Sequence, residues 1–465
     1  MMDPVLASRL QFALTTIVHI VFPVMSMGLA PFLVYFTWKE IRTDDPVYVQ
    51  LREFWTTVFA ISFVVGTVTG LVLEFEFGTN FARFAAATGD LFGGPLAVEG
   101  MMAFMLEATF LGVFVFGRDR VSDRVYFLSA TLVALGTWLS ALWILVANSW
   151  MQTPRGYEVA MQRGQPVFTL VDPIAAYANP RFPWMFVHMQ NAAVVSVALF
   201  MAGAAAYHVQ FGDDSAFWRR TMKLALLVLI LTAPLQVLHG DAYARHVYET
   251  QPQKFAAMEA VYETDSYVPE YIVAVPTSVD QILNPRAKEI FGIGIPGGAS
   301  WLASGGNPNA VIRGLNEFEG SPPVAVVFWS FRIMVALGFW FVLLAFWAGY
   351  RWWAGELFED RLLHEALIAS SLTGILAVEV GWIVTEVGRQ PWVVQGLMRV
   401  EQATSDLTPM EATLTLAGFV AVYAAVLTLY AYVVFRLLRQ GPDDLSHVSD
   451  LPPMGSDEVG VGPDV

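Results

Sequence analysis

The sequence predicts an all-α polytopic membrane protein, a bundle of nine transmembrane helices with one long extracytoplasmic loop. Of its 465 residues, 56% are hydrophobic and only 14% are charged, whereas soluble domains carry about 25% charged residues. The formal net charge of −15 argues against nucleic-acid binding, which needs a basic surface. The chain has no cysteine, which excludes disulfides, iron–sulfur clusters and covalently attached haem. Any metal or haem must therefore be held by His, Met or carboxylate side chains.

Nine apolar runs are long enough to cross about 30 Å of hydrocarbon. The sixth run is the shortest and contains Pro234. The runs are Leu14–Trp38, Trp55–Phe75, Pro95–Phe116, Val125–Ala147, Trp184–His208, Leu224–His239, Val324–Tyr350, Leu367–Val387 and Ala412–Phe435. They divide the chain into helices 1–6 within 1–239, a loop at 240–323, helices 7–9 within 324–440 and a tail at 441–465.

Basic residues orient the predicted bundle. The loops after helices 1, 3, 5 and 7 and the segment after helix 9 hold thirteen Lys and Arg, whereas the N-terminus and the opposite short loops hold seven. The positive-inside rule then places the N-terminus outside and the C-terminus in the cytoplasm of a cell-membrane protein. The Gly- and Pro-rich loop 240–323 lies outside, and loops of this length are usually functional or disordered.

The acidic excess lies mainly in the loops and in the tail, which contains no Lys or Arg. We expect the tail to be disordered. Acidic surfaces of this kind suit a high-salt cytoplasm, where counterions screen self-repulsion. A halophilic source is therefore a separate hypothesis, and it says little about catalysis.

Two histidines lie within the predicted spans, His19 in helix 1 and His188 near the outer end of helix 5. Ionisable side chains in hydrocarbon cost about 2.5–3.5 kcal/mol or more, so each is a candidate functional residue. His19 is either a core histidine bonded to a backbone carbonyl or an axial ligand that uses its neutral imidazole. For His188, an interfacial histidine in an aromatic belt and a metal ligand are equally good interpretations.

Helix 7 contains the string FWSFRIMVALG, which places Arg332 and Met334 in its outer half. A methionine there is normally lipid-facing or a filler of the core. A buried arginine needs an anion, and a haem propionate would satisfy its planar fork. Ligation of a haem by His and Met raises its reduction potential and suits electron transfer.

Three of the glutamates within the predicted spans are further candidates. Glu99 and Glu107 on helix 3 would be about 12 Å apart along an ideal helix axis, as successive stations of a proton path. Glu379 on helix 8 has no basic residue nearby in sequence, so it must be protonated, paired or bound to a metal. The whole set of buried groups predicts haems coupled to proton movement.

A proton- or solute-coupled membrane transporter that uses the same buried carboxylates is the alternative function. Transporters of that class more often have broken helices, with paired Gly or Pro interruptions in corresponding halves. No such pair stands out in this sequence. A haem-carrying assembly subunit without oxidase activity is a third hypothesis.

Six segments of the sequence form a specific combination, in which the strings QPxKxAAxEA and GRQPW are the most distinctive. The segments are Ser8–His19, Gly93–Gly112, Ala147–Glu158, Gly240–Ala260, Phe328–Gly338 and Gly381–Gly396. Together they resemble subunit I of cytochrome bd-type ubiquinol or menaquinol oxidases, over nearly the whole chain up to about Gln440.

The resemblance implies a respiratory terminal oxidase that oxidises quinol, reduces dioxygen to water and generates a proton gradient. It implies a low-spin haem b, a high-spin haem b, and either haem d or a further haem b. His188 and Met334 would ligate the low-spin haem, and Arg332 and Arg389 would be further cofactor-binding residues.

The resemblance also implies that His19 and Glu379 each ligate one high-spin haem, without fixing which residue holds which. Glu99 would lie at the oxygen-reducing haem. The implied proton path consists of Glu99, Glu107, Ser140 and Asn148.

In the loop, the resemblance implies that Lys254 and Glu259 bind and oxidise quinol. The loop resembles the family's short form, in which some members carry haem b in place of haem d, and the cyanide-insensitive type is one candidate subtype. Many members have an aromatic residue where this chain has Ile375. The implied partners are a second membrane subunit (subunit II of the oxidase), quinol, dioxygen and the lipid bilayer.

Overall fold

The computed structural model describes residues 2–43, 45–162, 165–276 and 290–442. Within this part of the chain, nine helical segments are long and apolar enough to cross a membrane, which confirms the predicted fold class. Fifteen α-helices are described. They are α1 Pro4–Thr43, α2 Pro46–Thr79, α3 Ala82–Val98, α4 Met105–Phe116, α5 Asp123–Gln152, α6 Pro173–Tyr177, α7 Phe182–Phe211, α8 Ala216–Thr250, α9 Pro252–Met258, α10 Gly298–Ser304, α11 Val324–Trp353, α12 Arg361–Ser370, α13 Thr373–Val387, α14 Val400–Ala403 and α15 Pro409–Gln440.

The nine spans are formed by α1, α2, α3 with α4, α5, α6 with α7, α8, α11, α12 with α13, and α15. All nine spans are longer than the apolar runs, and the extensions of α3 and α8 are among the longest. α3 begins at Ala82 rather than Pro95, and α8 continues to Thr250 instead of ending at His239. Most residues in both extensions are compatible with a helix. α8 ends just before Pro252, and proline fits poorly into a helix interior.

Short antiparallel strand pairs lie in the connections between the spans. The pairs are β1 Tyr157–Gln162 with β2 Gln165–Leu170, β3 Asp265–Ser266 with β6 Val311–Ile312, β4 Glu270–Pro276 with β5 Ile290–Ile295, and β7 Trp392–Val394 with β8 Met398–Arg399. The predicted loop 240–323 thus contains the last residues of α8, the whole of α9 and α10, and four strands. Part of this loop, 277–289, and the predicted tail from 443 onward lie outside the described residues.

α1 and α7 occupy the centre of the bundle. In the most apolar window of each of these two spans, 67% of the residues are buried, against 11% for α15. Gly28 permits the close approach of α1 to α7, because a Cβ there would lie only 2.4 Å from the carbonyl oxygen of Ala193. The peripheral helices thus present apolar side chains outward, as a lipid-embedded protein requires.

A π-helical segment, Glu99–Phe104, separates α3 from α4 within the third span. A π-helix has i→i+5 hydrogen bonds and a wider turn than an α-helix, and such segments occur frequently at functional sites. The separation along the helix axis calculated above for Glu99 and Glu107 assumed an ideal α-helix, so that value does not apply to this span. The π segment resets the direction of every side chain that follows it.

A satellite apolar core fixes the loop to the ends of the spans. Val247 of α8, Phe255 of α9 and Phe328 of α11 are buried in one cluster. Every residue of α9 from Gln253 to Met258 is buried. We call the end of the bundle on which this cluster lies the loop end. The cluster fixes the position of α9 and of the residues that follow α9.

Candidate active site

A cavity of about 290 Å³ lies at the loop end, between α7, α8, α11 and α13. Most of the side chains around it are apolar. His188 of α7 and Met334 of α11 line this cavity, and so do Lys254 and Glu259 from the loop. The structure thus brings together four predicted site residues that are far apart in the sequence.

Both ring nitrogens of His188 have polar neighbours on α8. Nε2 of Gln236 lies 3.1 Å from Nε2 of His188, and Nδ1 of His239 lies 3.4 Å from its Nδ1. Sequence reasoning gave His239 no role because it stands at the end of the predicted span. Since α8 continues to Thr250, His239 is an interior helical residue and directs its ring towards His188.

Two glycines leave room beside the candidate ligands. A Cβ at Gly240 would lie 3.4 Å from Cε1 of His188, and one at Gly381 would lie 3.1 Å from Sδ of Met334. An imidazole and a thioether on one apolar cavity are a donor set that suits a low-spin haem. The residues present therefore fit a haem.

Arg332 lies beside this cavity and is paired with two carboxylates. Its Nη2 lies 2.5 Å from Oε2 of Glu259, and its Nη1 lies 2.9 Å from Oε1 of Glu270. Only 7% of the arginine side chain and 3% of Glu259 are exposed, against 19% of Glu270. Glu270 was not predicted, because it belongs to no recognisable motif and reaches the site only through β4.

Lys254 on α9 is fully buried, and its Nζ lies 2.5 Å from Oε1 of Gln152 at the end of α5. Burial lowers the pKa of Lys254 well below its ordinary value, and the nearby Arg181 and Arg389 lower it further. Arg389 pairs with Glu386 at 2.5 Å, and burial lowers the pKa of this arginine as well. The predicted residues Lys254 and Arg389 thus belong to one buried polar cluster.

His19 on α1 and Glu379 on α13 do not line the loop-end cavity, although Val378 and Gly381, close to Glu379 on α13, do. Nδ1 of His19 lies 3.0 Å from Oγ1 of Thr69. Gly70 makes space for the ring, since a Cβ there would lie 3.1 Å from Cε1 of His19. Both carboxylate oxygens of Glu379 are buried without a hydrogen-bond partner among the described residues, which fits a carboxylate that awaits an external cation.

The predicted proton-path residues meet across the face between α5 and the third span. The hydroxyl of Ser140 donates to Oε1 of Glu99 at 2.7 Å. One turn away, the hydroxyl of Thr137 donates to Oε1 of Glu107 at 2.6 Å, and Glu107 is buried. Sequence reasoning missed Thr137, although it stands one helical turn before Ser140.

Further along α5, the same helix reaches the buried polar cluster at the loop end. Nδ2 of Asn148 donates to Oε1 of Glu386 at 3.0 Å, and Nε2 of Gln152 donates to the same oxygen at 3.2 Å. From Thr137 to Gln152 the rise of an α-helix is about 22 Å. α5 therefore carries polar side chains both beside the glutamates of the third span and beside Lys254.

The sequence of this chain matches known proteins along almost its whole length. The family described as cytochrome bd terminal oxidase subunit I matches residues 7–442. Cytochrome bd ubiquinol oxidase subunit 1 of Bacillus subtilis (strain 168) is 32% identical over 461 residues, which cover 96% of each chain. Cytochrome bd-II ubiquinol oxidase subunit 1 of Escherichia coli (strain K12) is 31% identical over 506 residues, with 95% of this chain and 98% of that protein covered.

The fold is also similar to a solved structure, that of the bd oxidase from Geobacillus thermodenitrificans. The two superpose with a TM-score of 0.84 and 29% sequence identity, over 95% of this chain and 99% of that chain. The resemblance predicted from the sequence is thereby confirmed, and the transporter alternative is not favoured. The chain belongs to the cytochrome bd terminal oxidase subunit I family.

Proposed function

We propose that this chain is the haem-carrying subunit of a quinol:oxygen oxidoreductase of the respiratory chain. The observation that carries the proposal is the loop-end cavity, which is lined by the candidate ligands His188 and Met334 together with Lys254 and Glu259. A donor of electrons and protons that enters this region would meet an electron acceptor site and buried titratable groups at the same place. Membership of an oxidase family supports the same activity.

Three cofactor sites follow from the proposal. His188 and Met334 would hold a low-spin haem b, and Arg332 and Arg389 would stabilise its carboxylates. His19 and Glu379 would each hold one high-spin haem, one a haem b and the other haem d or a further haem b. When bound, these haems supply one-electron transfer and the site of dioxygen reduction.

Side chains of this subunit would accept and transfer the protons. Glu259 would accept protons from quinol, and buried Lys254, whose pKa is lowered by burial, would hydrogen-bond a quinol oxygen. On the other path, Thr137 and Ser140 orient the carboxyl groups of Glu107 and Glu99. Asn148 would extend that path along α5. Protons consumed with dioxygen would move through these groups.

The proposed protein is a multi-pass subunit of the cell membrane, with the N-terminus outside, the segment 240–323 as an external quinol-binding loop and the C-terminus in the cytoplasm. The excess of basic residues in one set of loops supports this orientation. We propose subunit II of the oxidase as the membrane partner, since members of a family named for subunit I imply a second subunit.

The test uses the complex purified with its partner subunit. Quinol added to the oxidised complex should produce haem bands in the reduced-minus-oxidised spectrum and oxygen uptake, and the pyridine haemochrome should identify the haem types. Glu259→Ala should abolish quinol-driven uptake while an artificial electron donor still supports it. Glu319→Ala, a loop variant at a side chain that is 92% exposed, is the control. The absence of haem bands, or proton-coupled solute flux in a haem-free protein, would overturn the proposal.

A further inference from the structure

The loop end contains a second carboxylate whose place in the chemistry is not defined by the proposed function. Glu270 is the first residue of β4, and it lines the loop-end cavity together with Glu259. Oxidation of a quinol releases two protons for every two electrons. A single buried carboxylate can hold only one of these protons, and it must pass that proton on before it can accept the next.

The contacts of Glu270 join it to Glu259 in two ways. Glu259 is close enough to Glu270 that its charge raises the pKa of the Glu270 carboxyl group. Both also contact the guanidinium of Arg332, at 2.5 Å from Glu259 and at 2.9 Å from Glu270. One positive charge therefore faces two carboxyl groups, a balance that favours a shared proton.

The burial of the two glutamates differs in a direction that suits proton release. The side chain of Glu259 is 3% exposed, whereas that of Glu270 is 19% exposed. Glu259 therefore lies on the inner side of the pair, and Glu270 has contact with solvent. Of the two carboxyl groups, Glu270 is therefore the one placed to exchange protons with solvent.

The backbone holds Glu270 firmly in this position. A Cβ at Gly298, the first residue of α10, would lie 2.6 Å from the Cβ of Glu270. The glycine thus lets α10 pack directly against the start of β4. Such close packing fixes the start of β4, and with it Glu270, beside Arg332. Packing this close is not expected around an exposed residue that forms an ion pair at the protein surface.

We propose that Glu270 is the second proton carrier of the quinol site and passes protons from Glu259 to the external solvent. This inference rests on the proposed quinol oxidation. An O–H bond of the quinol breaks, and its proton goes to the carboxylate of Glu259. Glu270 releases its own proton to water and takes up the proton of Glu259. The second O–H bond breaks in the same way, and the two electrons leave through the low-spin site towards dioxygen.

The electrostatics of the site agree with this role. Burial raises the pKa of Glu270 to about 8, and the neighbouring Glu259 raises it as well, against the opposing effect of Arg332. At neutral pH the carboxyl group of Glu270 therefore holds a proton that it can pass to water. The other charged groups that line the same cavity are Arg181, Asp241, Arg245 and Lys254, and Arg245 is paired with Asp241.

The test compares Glu270→Gln, Glu270→Asp and the wild type in the purified complex. Glu317→Gln is the matched control, because Glu317 lies in the same loop and pairs with Arg313 outside the cavity. Oxygen uptake is measured with a short-chain quinol between about pH 6 and pH 9, on either side of the pKa range discussed. It is measured again with tetramethyl-phenylenediamine, which donates electrons without releasing protons.

We expect Glu270→Gln to lower kcat with quinol about tenfold or more, with KM changed less than about twofold. The loss should be smaller than the effect of about 10²–10⁴-fold of a general acid or base at the reacting bond, because Glu270 relays the proton rather than taking it from quinol. The limb of the pH–rate profile near pH 8 should disappear, because an amide does not titrate. Uptake with the artificial donor should be unchanged, and Glu270→Asp should restore part of kcat.

Two results would overturn the role of Glu270. The first is a Glu270→Gln complex with the kcat and pH profile of Glu317→Gln. The second is an equal loss with both donors, which would make Glu270 a structural residue only. A wild-type complex that reduces dioxygen with the artificial donor but never with quinol would instead refute the proposed function itself.

Discussion

Glu379 offers the sharpest test of how the interior of the bundle holds its cofactors. Both of its carboxylate oxygens are buried without a hydrogen-bond partner among the described residues. A buried polar atom left unpaired costs about 1–3 kcal/mol, so the two oxygens together cost about 2–6 kcal/mol. A ligand bond to haem iron would remove this penalty, because the carboxylate would then face a cation.

Glu379→Ala removes the proposed haem ligand. It also removes the unpaired oxygens from the haem-free protein, so haem binding no longer relieves their free-energy penalty. At 1.4 kcal/mol per tenfold, about 2–6 kcal/mol corresponds to a loss of haem affinity of about 30-fold to about 10⁴-fold. We therefore expect the purified variant to lose close to one haem per complex, and with it the bands of one of the two high-spin haems. The low-spin bands should remain, because His188 and Met334 line the loop-end cavity and Glu379 does not.

The assay is the ratio of haem to protein from the pyridine haemochrome, together with the reduced-minus-oxidised spectrum. Glu386→Gln is the matched control on the same helix, since Glu386 has Asn148, Gln152 and Arg389 as partners. That variant should keep the wild-type ratio. A Glu379→Ala complex with unchanged haem content and unchanged high-spin bands would refute the reasoning.

Three further variants separate the roles of other site residues. Met334→Leu should remove the low-spin signature from the reduced-minus-oxidised spectrum and leave the high-spin bands, because leucine fills the space without ligating iron. Ser140→Ala loses the hydrogen bond to Glu99, worth about 1 kcal/mol, so oxygen turnover should fall up to about fivefold while anaerobic haem reduction by quinol stays fast. Lys254→Met should flatten the dependence of thermal stability on pH. Burial lowers the pKa of Lys254, so the folded chain binds fewer protons than the unfolded chain below about pH 10.4. The wild type therefore loses stability as pH falls from about 10 towards the lowered pKa, and the methionine variant does not.

Each of these expectations has a contrary outcome. Loss of the high-spin bands in Met334→Leu would place the methionine at another haem. Equal slowing of haem reduction and oxygen turnover in Ser140→Ala would remove the serine from the proton path. A Lys254→Met complex whose unfolding midpoint varies with pH as in the wild type would mean that other groups control that dependence.

Hydropathy and motif strings predicted most of the fold, because each span must be apolar over its own length. They predicted the positions of the spans less well where polar residues continue a helix. α8 extends through Tyr243 and Arg245 to Thr250, and no apolar run marks that extension. The π-helical segment at Glu99 was also beyond prediction, because it depends on packing against α5 rather than on local composition.

Site residues were predictable when they lay in apolar surroundings or in a distinctive string. Glu107 and Glu379 stand out because the residues around them are apolar, and Lys254 belongs to a specific loop motif. Glu270 lies in an ordinary strand sequence, and only the packing of β4 against α10 places it beside Arg332. The roles of Thr137 and His239 could not be predicted, because their contacts with Glu107 and His188 depend on how neighbouring helices pack.

The central position of α1 and α7 has a consequence for how the protein is made. α1 is synthesised before the helices that surround it, so the later helices must close around it inside the membrane. His188 lines the same cavity as Met334 of α11 and Val378 of α13, which leave the ribosome far later. The proposed low-spin pocket therefore cannot be complete before α13 has been translated. Loading of the low-spin haem is a late event of biogenesis, and chains truncated before α11 should insert into the membrane but lack the low-spin bands.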